Sequence, residues 1–67
     1  MRVRLGNDIY FCDKAAVYSD TSIVLKTSTC IFKVECSSNN EAQRCFNALL
    51  IQGWYDFTEH IYTKIEK

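Results

Sequence analysis

Four cysteines, one histidine and eight carboxylates are the residues of this 67-residue chain whose types can do chemistry. A nucleophilic thiol needs a base within hydrogen-bond reach. His60 is the only imidazole, and no spacing recommends Cys12, Cys30, Cys36 or Cys45 as its partner. Cys45 falls mid-way along an expected helix, away from the N-terminus that would stabilise a thiolate. His60 reads as a solvated residue on a short helix. The carboxylates are Asp8, Asp13, Asp20, Glu35, Glu41, Asp56, Glu59 and Glu66. Most sit at turns, caps or exposed strand positions, and none lies in an apolar run that could split the pKa values of a catalytic pair. Gly6 and Gly53, the only glycines, stand too far apart for a phosphate loop. No enzyme is expected, and no cofactor.

The cysteines read as free thiols. Paired disulfides belong to secreted chains, and no apolar run follows Met1-Arg2-Val3-Arg4 as a secretory segment would require. There is no C-x-x-C pair of the zinc-ribbon kind, so no metal site is expected. A metal- or redox-sensing use of the four thiols stands as a further alternative. No stretch approaches a membrane span, and a cytoplasmic protein without membrane contact is expected.

Binding is the remaining class. Tyr10, Tyr18, Tyr55 and Tyr62 fall at positions read as outward or peripheral, and tyrosine is a common interface anchor. Leu50 and Ile51 widen the helix's apolar stripe beyond one face; they meet either the C-terminal segment or a partner. A sheet edge offers another docking site. Arg2, Arg4, Tyr10, Lys26 and Lys33 could together stack and neutralise a single strand of nucleic acid. Eight basic against eight acidic residues leave a formal net charge of zero, which disfavours that alternative. Zero net charge also offers little repulsion between copies, so a homodimer is possible.

The elements that must position these residues centre on Ser37–Trp54. Ser38 and Glu41 form a capping box, in which Glu41 reaches back to the Ser38 N–H. Ala42, Cys45, Phe46, Leu49 and Gly53 follow the helical period of one buried face, and Gly53 supplies a left-handed end. Before the helix, Arg2–Leu5 and Ile9–Cys12 alternate around the turn Gly6-Asn7-Asp8, which predicts a hairpin with Val3, Leu5, Ile9 and Phe11 inward and Arg2, Arg4, Tyr10 and Cys12 outward. Asp13-Lys14 reads as a bend before a short strand at Ala15–Tyr18. Ser19–Ser22 is a polar turn, and strands follow at Ile23–Thr27 and Cys30–Cys36. After Gly53, Asp56 and Glu59 resemble a second capping box, and Phe57, Ile61 and Ile65 recur every four residues. A helix from about Phe57 to Ile65 is predicted over a strand, with its last turn fraying at Lys67.

These readings give an α+β fold: one domain over residues 1–67, an antiparallel meander of four to five strands under one main helix, and a short C-terminal helix. The expected function is a non-catalytic protein-binding module acting on a larger protein or on its own copy. Its small size fits stoichiometric inhibitors from phages and mobile elements that act on host proteins such as defence components.

Overall fold

The computed structural model describes residues 1–18 and 21–65. The elements run β1 (Arg2–Leu5), β2 (Asp8–Val17), β3 (Ser22–Thr27), β4 (Ile31–Glu35), α1 (Asn39–Gln52), β5 (Trp54–Asp56) and β6 (Ile61–Ile65). The fold is α+β, as the sequence predicts, with one main helix. The sheet, however, has six strands in the order β5-β1-β2-β3-β4-β6 and is mixed: β1 to β4 form the meander, while β5 lies parallel to β1. The parallel pair is possible because α1 carries the chain back across the sheet, the crossover that parallel strands require.

The helix starts and stops where expected. Ser38 Oγ accepts from the Glu41 N–H at 3.1 Å, and Gly53, at φ 70°, donates its N–H to the Leu49 carbonyl at 2.8 Å. The other arm of the capping box differs: the Glu41 carboxylate accepts from the Ser37 N–H at 2.9 Å, one residue before the position predicted. Ala42, Cys45 and Leu49 are buried, while Phe46 is half-buried at the margin of the core. Trp54 follows Gly53 immediately after the helix. It enters β5 directly, beside Arg2.

Two expectations are overturned by register. The first hairpin turns on two residues, Gly6 and Asn7, and pairs Leu5 with Asp8, Arg4 with Ile9, Val3 with Tyr10 and Arg2 with Phe11. Gly6 takes φ 62°, as a glycine at the first central position of a tight hairpin turn can. Directly opposed residues share a face. A turn read as one residue longer therefore inverts the second arm. Ile9 and Phe11 face out, at 61% and 72% exposure, while Cys12 is buried and Tyr10 lies inward against Phe32.

The C-terminal segment is two strands, not a helix. Asp56 caps a turn rather than a helix: its carboxylate accepts from the Thr58 N–H at 2.9 Å and from the Thr58 hydroxyl. Ile61, Thr63 and Ile65 then alternate with Tyr62 and Lys64 along β6, the strand reading of the same spacing. The expected polar turn at Ser19 and Asp20, and the fraying end at Glu66 and Lys67, lie outside the described residues.

β2 is one long strand, and the predicted bend at Asp13-Lys14 is a register shift within it, between Cys12 and Lys14. Its first half pairs with β1 and its second half with β3, so the shift folds one part of the sheet over the other. Tyr10 and Phe32, on β2 and β4, meet at 4.7 Å between ring centroids across this fold. The curl is also demanded by the chain. β5 and β6 occupy opposite edges of the sheet, yet only residues 57–60 connect them. Six flat strands would set their outer members about 24 Å apart, whereas five residue steps reach at most about 18 Å. The edges must approach each other. Phe57, fully buried, fills the gap between them, its N–H bonded to the Arg4 carbonyl at 2.8 Å. Leu5, Leu25, Val34, Leu49 and Phe57 belong to one continuous core enclosed by the curled sheet and α1.

Candidate functional site

The face of the sheet opposite α1, its convex side, carries both exposed apolar and basic side chains. Registers assign it strand by strand. Arg4 pairs with Ile9 and Arg2 with Phe11; Lys14 pairs with Lys26, and Val24 with Lys33; Ile31 pairs with Ile65, and Glu35 with Ile61. Ile9, Phe11 and Ile61 are between 61% and 73% exposed. The registers place the bases Arg2, Arg4, Lys14, Lys26 and Lys33 and the acids Glu35 and Asp56 on this face, with Asp13, exposed at the register shift, beside Lys14. The zero net charge of the chain thus conceals a segregated one.

Local electrostatics differ along this face. Arg4 is balanced: its guanidinium donates to the Gly6 carbonyl at 3.3 Å, and it is one of the influences that hold the Asp56 carboxyl below its usual range, after the Thr58 hydrogen bonds. Lys14 and Lys26 are exposed and stand opposite each other. Like charges directly opposite across a ladder are destabilising.

The binding residues expected from sequence do not form one surface. Tyr10 faces the interior and is lost to the nucleic-acid set, whose other members Arg2, Arg4, Lys26 and Lys33 do share the convex face. Tyr55 is half-buried, with its hydroxyl accepting from the Cys45 thiol at 3.3 Å. Tyr62 is 39% exposed and packs edge-on to Phe32. Tyr18 is exposed just beyond the end of β2. Leu50 and Ile51, at 53% and 84% exposure, are not covered by the C-terminal segment. Ile9, Phe11 and Lys14 were not expected on this surface. A two-residue turn at Gly6-Asn7 was the signal that could have found the first two.

A second cluster lies where the start of α1 meets the β5–β6 connection. Cys36, Glu41 and His60 are all half-buried, and one donor atom of each falls within 4.8 Å of the others. His60 is thus neither on a helix nor fully solvated. Its Nε2 lies 3.7 Å from a Glu41 carboxylate oxygen, and its ring packs edge-on to Phe57 at 5.4 Å between centroids. Burial pushes the Cys36 thiol up to about 11, helped by Cys45 and Glu41 beside it. Glu41 is held below the usual carboxylate range, first by the Ser37 backbone N–H. The hydrogen bond with Cys45, followed by burial, pushes Tyr55 up to about 12. All four cysteines are free thiols.

No family model, curated protein or solved structure matches the chain. No described helix is long and apolar enough to cross a membrane.

Proposed function

We propose that this chain is a non-catalytic protein-binding module whose convex sheet face docks on an apolar, carboxylate-bearing surface of another protein. The observation that carries the reading is the composition of that face: exposed Ile9, Phe11 and Ile61 interleaved with Arg2, Arg4, Lys14, Lys26 and Lys33. Exposed apolar groups of this size gain by leaving water, and the excess of bases over acids, with Lys14 and Lys26 opposed to each other, selects an anionic counterpart. A second copy fits poorly. A two-fold interface sets the same patch against itself, which would oppose bases to bases. The favoured partner is therefore a different protein, consistent with stoichiometric inhibition of a larger, acidic-surfaced host protein. A cytoplasmic setting belongs to the same proposal.

A second reading takes the same bases, with Phe11 as a stacking platform, to bind single-stranded nucleic acid. Its weakness is chemical: Ile9 and Ile61 offer bases no ring to stack on.

A photo-crosslinking residue placed at position 11, compared with one at the exposed helix position 43, separates the two. A protein adduct formed only from position 11 and lost in Lys14→Glu/Lys26→Glu is the expected result. A nuclease-sensitive adduct transfers the face to the second reading. Equal labelling from both positions refutes a specific role for the convex face.

A further inference from the structure

We propose that Cys36, Glu41 and His60 form a zinc-class metal site with one position open to solvent. The three come from different parts of the chain: the β4–α1 connection, the first turn of α1 and the β5–β6 connection. Their convergence follows from the tertiary fold, since no two share a short sequence motif.

The donor spacing is close to what a metal requires. Tetrahedral zinc with bonds of about 2.0–2.3 Å holds its donors roughly 3.3–3.8 Å apart. The donors here lie within 4.8 Å of one another, so about 1 Å of inward movement completes the site. Cys36 and His60 belong to connections between elements, and since their backbone N–H groups are bonded to the Thr21 and Phe57 carbonyls, the closure falls to the side chains. A sulfur, nitrogen and oxygen donor set suits zinc and excludes the hard cations magnesium and calcium, which take oxygen ligands.

The surroundings of the cluster bear on how an ion would be held. His60 Nδ1 is inaccessible to solvent and has no hydrogen-bond partner. The ring already presents its other nitrogen, Nε2, to the Glu41 carboxylate at 3.7 Å, so Nε2 is the atom placed to bind and Nδ1 faces away from the cluster. Grooves open on both sides of the cluster, one lined by Glu41, Arg44, Cys45 and Tyr55 and the other by Cys36, Glu59 and Ile61. An ion has a way in, and a water can take the fourth position. Supporting contacts are already in place: the Ser37 N–H on the Glu41 carboxylate and the Phe57 ring against His60. Cys45 lies one helical turn from Glu41 and adjoins Cys36, but its thiol donates to the Tyr55 hydroxyl at 3.3 Å, which leaves Cys36 as the thiolate of the site.

The site would tie the β5–β6 connection to the start of α1. Its role would be to fasten the curled sheet, whatever docks on the convex face.

The test uses the reduced full chain with zinc or Co²⁺ as the probe. One zinc per chain by native mass spectrometry is expected, together with a thiolate-to-cobalt charge-transfer band in the Co²⁺ form. Cys36→Ser should abolish that band. His60→Gln and Glu41→Gln should weaken metal binding by more than about tenfold, the loss that even a supporting residue brings. Cys30→Ser, remote from the cluster, should leave the band intact. Zinc should also raise the melting temperature of the wild type and not that of Cys36→Ser. Absence of a metal adduct in the folded wild type overturns the proposal, as does a charge-transfer band that survives Cys36→Ser.

Discussion

Lys14 on β2 and Lys26 on β3 stand directly opposite each other on the convex face of the sheet. Neither has an ion-pair partner among the described residues. A protein selected for stability alone would place opposite charges there. Lys26→Glu converts the repulsive pair to an attractive one and should raise stability by about 0.2–1 kcal/mol. The gain should shrink as salt is added. Urea unfolding midpoints at low and high salt check both statements, and the same variant should lose affinity for the partner.

Phe57 holds the two edges of the sheet together from inside. Phe57→Ala should cost about 3–5 kcal/mol, the range for removing a buried aromatic ring. Denaturant unfolding measures the loss. A cost below about 1 kcal/mol would mean that the β5–β6 connection contributes little to closing the curl.

The tip of the first hairpin touches the far edge strand. A Cβ on Gly6 would sit 2.9 Å from the Tyr62 hydroxyl, and Gly6 already has φ 62°. Gly6→Ala should therefore destabilise by about 1–2 kcal/mol from the left-handed backbone alone, and further from the contact. Tyr62→Phe removes the contacting oxygen but not the backbone strain. In a double-mutant cycle the second substitution should recover part of the loss. Strict additivity would place Tyr62 away from the hairpin.

The Ser38 cap is exposed, so its removal isolates one hydrogen bond from core packing. Ser38→Ala should cost about 1 kcal/mol. An unchanged unfolding midpoint would move the start of the helix.

Asp56 sets the pH dependence of the turn after β5. Its folded pKa lies below the ordinary 3.8 because Thr58 donates to the ionised form. A depressed carboxyl stabilises the fold above its unfolded pKa, and that contribution is lost as pH falls through the folded value. Asp56→Asn should therefore unfold more easily than the wild type at neutral pH, with the difference closing in acid below about pH 3.8. Unfolding midpoints across pH 2–7 test the sign.

The helix was readable from its sequence because every signal agreed locally: a cap at Ser38, a period through Ala42, Cys45 and Leu49, and a left-handed stop at Gly53. The strands β3 and β4 were readable for the same reason. The hairpin failed by one residue of turn length, a small error that period-two alternation turns into a complete exchange of faces for Ile9 through Cys12. The C-terminal segment failed because Phe57, Ile61 and Ile65 satisfy both a helical and a strand period, and only partners remote in sequence decide between them. β5 finds β1 across the whole meander, and β6 finds β4 across the helix. The clustering of Cys36, Glu41 and His60 was invisible for a related reason: it depends on sheet curvature, which no local pattern encodes. Four of the five convex-face bases were recognisable by alternation, but the sign of that face was hidden behind a net charge of zero.

The two strands that border the sheet are also the two synthesised after all the others. While the chain is being made, β1 waits for its parallel partner and β4 for its antiparallel one until the helix has already formed. During that interval the meander presents two open ladders to its surroundings, and the apolar interior lacks Phe57. Supplying a holdase over that window should therefore change the yield of folded protein far more than it changes the stability of the finished molecule.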